Sequence, residues 1–203
     1  MRVAIAPFDR LQGEIIKTIA AILSGGAREG LPKLEALNGE FQRLGALYSV
    51  LESPRGVALI ETGRVAEGVH LIQRTIAARE ASGDRTQAGF GRILLAEVYI
   101  QILTGGRKAP ASVIIKNLPT LATARFRGAR RARALLDAAA AHKQFSLQGG
   151  VIARIDFDRG QLFEMRGKRS QARACFERAR GIASAQGLDA LRQRSEAALA
   201  KLA

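Results

Sequence analysis

Residues Gly160 to Ala179 read GQLFEMRGKRSQARACFERA. Gly160 and Phe163 share one face of a first helix, because residues three and four apart stack on the same side. Ala172, Phe176 and Ala179 share one face of a second helix by the same spacing. Two helices come close only where a facing residue is small, so Gly160 and Ala172 are the expected points of approach, with Phe163, Phe176 and Ala179 filling the seam. Gly167 falls where the first helix must stop, glycine being the usual residue just past a helix end.

The same offsets recur upstream. Gly56, Leu59, Gly63, Gly68, Ile72 and Thr75 repeat them, a fainter copy runs Ala21, Gly25, Gly30, Leu34 and Leu37, and Leu95, Ala96 and Tyr99 make a half copy whose partner helix is displaced. A small-and-large helix–turn–helix unit of about 34 residues is the tetratricopeptide type. A single such unit cannot bury its apolar face alone, so several stack. The expected fold is all-α: a tetratricopeptide-like superhelix of antiparallel helix pairs, with a helical insert and a C-terminal capping helix, in one domain over 1–203. The expected pairs cover 9–44, 47–81, 86–142 (with the insert at 104–119) and 151–186, and the cap covers 188–202.

Apolar periodicity sets the individual helices. They are expected from Asp9 to Ser24, Glu29 to Leu44, Leu47 to Thr62, Val65 to Ala81 and Arg85 to Leu103. Pro54 should kink the third or move its start, with Ser53 as its cap. Gly105, Gly106, Pro110 and Pro119 then break the pattern. A loop, a short helix from Ser112 to Asn117 and a longer helix from Pro119 to His142 are expected there. Phe145 to Gly150 reads as a loop. Helices from Ile152 to Arg166 and Ser170 to Ala185 carry the opening stretch, and Leu188 to Leu202 closes the array.

Composition narrows the chemistry. The chain has 203 residues, 47% hydrophobic but only 5% aromatic, with no Trp, so aliphatic side chains do most of the packing. Cys175 is the sole cysteine, which excludes a disulfide framework and a cysteine-rich metal site; it reads as a small packing or surface residue. Met1 to Leu11 lacks the apolar core of a secretory signal, and no run approaches the roughly 20 apolar residues of a membrane span. A cytoplasmic location is expected. The net charge of +14 attracts anionic partners.

That charge is unevenly distributed. Val98 to Leu136 contains Arg107, Lys108, Lys116, Arg125, Arg127, Arg130, Arg131 and Arg133 and no acid. On a helix starting near Pro119, Leu118, Leu121, Leu135 and Leu136 fall on one face, expected to dock near the Arg85–Leu103 helix. Arg127, Arg130, Arg131 and Arg133 spread over the other, while Arg125 points near the apolar side. The plain interpretation is a solvated helix face; the functional one is a basic docking face for an acidic protein segment. Nucleic acid is the alternative, but Phe126 is the only interleaved aromatic and no DNA-reading motif is present. In this repeat type the first helices line a concave groove, whose outward residues by offset are Glu61, Glu97, Gln101, Arg154, Asp158 and Gln161. Their mixed polarity suits an extended peptide, a partner helix or plain solvent.

No constellation supports catalysis. Asp156 and Asp158 are two apart and point to different helix faces. His70 and His142 have no Cys or His at ligand spacing. Gly89-Phe90-Gly91-Arg92 lies inside an expected helix and is not a dinucleotide turn. The chain is therefore expected not to be an enzyme and to hold no metal and no cofactor.

Further segments carry a resemblance: Phe8-Asp9-Arg10-Leu11 with Gly13-Glu14, then Glu67-Gly68 through Leu71-Ile72 to Arg79-Glu80, and Leu95-Ala96-Glu97-Val98-Tyr99. Lys116-Asn117-Leu118-Pro119 of the insert, Phe145 with Gly149, Ala179-Arg180-Gly181-Ile182-Ala183, and Ala197-Ala198-Leu199 complete it. Over nearly its whole length the chain resembles the C-terminal repeat region of bacterial class III adenylate/guanylate cyclases with a tetratricopeptide tail, chiefly from rhizobia and relatives. In that family a cyclase domain, often followed by an ATPase-like module, precedes the repeats. The resemblance implies a regulatory module that binds protein, its partner an attached or neighbouring cyclase or ATPase domain. No segment matches the cyclase's metal-binding aspartates, so no catalytic residue carries over. Two other classes stay open: a basic nucleic-acid-binding helical protein, and a small-molecule sensor with its ligand between the insert helix and the groove.

Overall fold

A computed structural model describes residues 7–43, 51–105 and 111–202. Among them the chain is all-α, without a strand. The helices are α1 (Pro7–Leu23), α2 (Ala27–Arg43), α3 (Glu52–Glu61), α4 (Val65–Ala81), α5 (Arg85–Thr104), α6 (Ala111–Lys116), α7 (Leu118–Ala140), α8 (Lys143–Ser146), α9 (Gly149–Glu164), α10 (Arg169–Ala185) and α11 (Asp189–Lys201). Leu44, Leu47, Arg107, Lys108 and Pro110, which figured in the expected helices and insert, lie outside the described residues.

Two local expectations need correction. Leu51, not Ser53, occupies the cap position of α3, and no side chain caps that end; Pro54 sits in the first turn, where its missing N–H costs no helix bond. The expected loop from Phe145 to Gly150 is largely helical, divided between α8 and the start of α9. The helix ends at glycines follow the expected rule. After α9, Gly167 adopts φ +68°, its N–H donates to the Glu164 carbonyl (2.9 Å) and that of Lys168 to the Phe163 carbonyl (3.0 Å). That paired closure satisfies carbonyls the helix end leaves orphaned, and its left-handed residue is glycine because a Cβ would crowd the backbone.

By backbone proximity the chain divides into two compact units. The first comprises Met1–Ala78 with Ala109–Thr120. Within it α1 and α2 pair antiparallel: Gly30 lies against Ile22, while Lys33 reaches back to Glu14 (2.9 Å). Ile15, Ile22, Leu34 and Phe41 are fully buried there. The α3 and α4 helices also run antiparallel, since Gly56 faces Ile72 and Gly68 while Ile60 faces Gly68. A Cβ on Gly56 would come within 2.9 Å of the Gly68 carbonyl oxygen, so the two backbones meet where neither residue has a side chain.

Within this unit the insert is tied to α4 by the Asn117 side chain. Asn117, buried just after α6, donates from Nδ2 to the carbonyls of Val113 (2.8 Å) and Gly63 (2.9 Å) and accepts at Oδ1 from the Ala66 amide (3.0 Å). Ala66 is in the first turn of α4, where amides have no partner within the helix. Asn117 thus caps α4 from more than fifty residues away in sequence.

The second unit comprises Arg79–Lys108 and Leu121–Ala203. The α9 and α10 helices form its antiparallel seam, where Gly160 abuts the Phe176 ring and Phe157 stacks on Phe176 with centroids 5.4 Å apart. Ala172, Phe176 and Ala179 are fully buried, as their spacing requires, and Leu202, just past α11, closes that core. The α5 helix is buried on most sides. On it Gly89 makes room for Phe145, whose ring is fully buried and lies 4.8 Å from that of Phe90.

Candidate functional site

The six groove residues differ in exposure. Glu61, at the end of α3, belongs to the first unit and is half-buried; the other five belong to the second. Gln101 is exposed and Gln161 half-buried. Glu97 of α5 and Arg154 of α9 bind each other, both guanidinium arms meeting the two carboxylate oxygens. Such fork-to-fork pairs are the strong form of ion pair. Asp158, one turn beyond Arg154, is only 2% exposed, and its Oδ2 has no hydrogen-bond partner. The expectation that Asp158 points outward is therefore corrected: α5 packs on α9 at this level and encloses it. Burial pushes the Asp158 carboxyl well above the usual carboxylate range, the Glu97 carboxylate pushes the same way, and Arg154 and Arg194 oppose both. Arg194 also lies over the Phe157 ring, 4.5 Å from its centroid.

Asp156, two residues earlier, faces elsewhere. It is buried on α9 and takes a two-pronged bond from Arg178 of α10 (2.9 and 3.1 Å). Arg178 also touches the sulfur of Cys175 (3.3 Å), which is buried. Burial raises the thiol's pKa more than Arg178 lowers it, and a thiol held protonated is a poor nucleophile. Among the described residues no group of three or more His, Cys, Asp or Glu side chains could hold a metal ion.

The arginine face is present on α7. Arg127, Arg130, Arg131 and Arg133 are all exposed, as is Arg125, which had been expected near the apolar side. Arg133 lies 3.6 Å from Asp137, which Arg159 also holds at 2.6 Å. Arg131 donates weakly to the Tyr99 hydroxyl (3.5 Å). Arg127 and Arg130 form no ion pair among the described residues. The packing side of this helix differs from the leucine stripe expected. Leu136 is fully buried, Leu121 and Leu135 are half-buried, and Leu118 is 57% exposed. The buried stripe is Ala124, Gly128, Ala132, Leu136 and Ala139. Small residues four apart let α7 lie close on α5, so that a Cβ on Gly128 would meet Leu103 at 3.4 Å and Tyr99 at 3.6 Å. Docking on α5 is as expected; its means is close approach rather than large aliphatic side chains.

A cleft of about 350 Å³ also opens in the second unit, lined by Glu80, Arg85, Arg92, Ala138, Ala141 and His142. Arg92 pairs with Glu80 within it, and His142 Nδ1 has no hydrogen-bond partner. No signal in the sequence marked this cleft, because its lining comes from two stretches of chain, 80–92 and 138–142, that are distant in sequence. Among the described residues no helix is long and apolar enough to cross a membrane. Comparison with protein-family models, curated proteins and solved structures finds no match for this chain.

Proposed function

We propose that this chain is a non-catalytic protein-interaction module of the tetratricopeptide type, its helix pairs forming a superhelix, and that the outward arginines of α7 are its docking face for an acidic protein segment. The observation that carries this reading is the pair Arg127 and Arg130, exposed and without an ion pair among the described residues. Paired arginines stabilise their own fold, whereas two unpaired guanidiniums in a stretch without acids are open to a partner's carboxylates. The glycine seams at Gly56–Gly68 and Gly160–Phe176 support the repeat assignment. Association with a class III nucleotide cyclase, attached or neighbouring, rests on the sequence resemblance alone.

The test replaces Arg127, Arg130, Arg131 and Arg133 together with Gln. Exposed arginines contribute little to folding individually, so the melting temperature should stay within a few degrees of wild type. Binding to a Glu-rich peptide should weaken and lose its salt dependence, because attraction between exposed charges is screened. A variant that folds and binds as tightly as wild type would reduce this face to a solvated surface. The cleft between α5 and α7 favours a second reading, a small-molecule sensor, which a ligand-induced rise in melting temperature abolished by His142→Ala would support.

A further inference from the structure

On the outward side of α7, among these arginines, Phe126 is 87% exposed. A lone exposed apolar side chain is ordinary on a protein surface; what sets Phe126 apart is the exposed arginines around it. Arg127 adjoins it in sequence, and Arg130 lies one helical turn away on the same side. The nearest acid along the helix, Asp137, is already engaged by Arg133 and Arg159. The face therefore offers one apolar anchor point beside unsatisfied positive charge.

We propose that the occupant of this face is an acidic amphipathic helix of a protein partner, with an apolar side chain that covers Phe126 and carboxylates one turn apart that meet Arg127 and Arg130. This rests on the docking reading above and names its partner class. Arg127, Arg130 and Arg133 succeed each other at three-residue steps, a rise of about 4.5 Å each. Carboxylates three or four residues apart on a facing helix rise by about 4.5–6 Å, so two such helices can match charge for charge. The guanidiniums supply orientation and encounter rate, while the covered ring supplies the desolvated centre where binding energy concentrates. Single-stranded nucleic acid also uses stacking rings with cations, but through successive aromatics along a groove, and this face has one.

The experiment measures binding by fluorescence anisotropy with three probes: an alanine-based helical peptide bearing Glu one turn apart and one central Phe, the same peptide with that Phe replaced by Gln, and oligothymidylate. The wild-type chain should bind the Phe peptide most tightly. Phe126→Ala should weaken the Phe peptide roughly three- to tenfold and leave the Gln peptide unchanged. Arg127→Gln with Arg130→Gln should weaken both peptides. Circular dichroism melts should be unaltered in both variants, since all three side chains are exposed. Binding of both peptides with equal strength, indifferent to Phe126→Ala, would overturn the anchor while leaving the acidic docking face. Binding of neither peptide would overturn both. Oligothymidylate binding more tightly than the Phe peptide, and lost in Phe126→Ala, would make this a nucleic-acid surface and overturn the proposal.

Discussion

Gly160 and Gly181 are both helical glycines, and their surroundings give them opposite roles. A Cβ on Gly160 would lie 2.5 Å from Phe176 Cε1, and that ring is fully buried and pressed by Phe157. Around Gly181 on α10 nothing lies within 4 Å. Alanine gains about 1 kcal/mol of helix propensity over glycine, whereas overpacking a well-filled seam costs about 1–3 kcal/mol. Gly160→Ala should therefore lower the melting temperature and Gly181→Ala should raise it, as differential scanning calorimetry will show; equal shifts would mean that the α9–α10 seam is looser than this packing. Asp158 gives a pH-dependent counterpart. Its carboxyl is pushed up in the folded chain by burial first and by Glu97 second. A carboxyl with a raised folded pKa stabilises the fold below the ordinary carboxylate range, and that contribution is lost as pH rises through the raised value. Asp158→Asn keeps the shape and removes the titration. Its melting temperature relative to wild type should climb as pH rises above the ordinary carboxylate range; a constant difference would show that Arg154 and Arg194 hold Asp158 ionised throughout.

Among the elements, α6 shows how a short helix can be held by another element's orphaned groups. It has six residues, too few to be stable alone. Asn117 ties its end to the α3–α4 turn through the Gly63 carbonyl and the Ala66 amide, and Val113 rests against Gly63. Asn117→Ala removes three hydrogen bonds and leaves buried partners unsatisfied, a loss of about 1–3 kcal/mol. Amide hydrogen exchange should quicken together in α6 and the first turn of α4, with α9 and α10 unaffected. Faster exchange confined to α6 would mean that α4 does not depend on the cap. Sequence spacing foresaw a short helix here, but nothing in the run Lys116-Asn117-Leu118-Pro119 says that the asparagine caps a helix fifty residues earlier.

For the whole molecule the dominant quantity is charge. Thirty-two Lys and Arg face 18 Asp and Glu, and many of the ion pairs are largely exposed, such as Lys17–Glu14 and Arg64–Glu67. Exposed pairs contribute about 0–1 kcal/mol each, whereas self-repulsion of a strongly cationic chain opposes compaction and is relieved by salt. Raising ionic strength from about 0.01 M to about 0.15 M shortens the screening length from about 30 Å to about 8 Å and should raise the melting temperature. A fall on adding salt would show that the ion pairs outweigh the repulsion.

Periodicity and punctuation were enough to locate most of the helices, though not α8, which reads as part of a loop. A helical face repeats every 3.6 residues within one stretch of chain, and a glycine stop such as Gly167 acts on its immediate neighbours, so both are local properties. The Gly160–Phe176 seam was legible for the same reason, since a short turn leaves its two helices antiparallel. The acid-free arginine block of α7 was likewise visible in the composition of one segment. What a polar or aromatic residue meets across the fold was not. Asp158 reads as a surface carboxylate until α5 brings Glu97 against Arg154, 57 residues away, and closes the space around it. Phe145 reads as part of a loop until Gly89 gives its ring a place in the core. Leu118 reads as part of a packing stripe, yet the small residues of α7 make the contact. Burial depends on partners distant in sequence, which no local spacing encodes, and only the tertiary structure decided it.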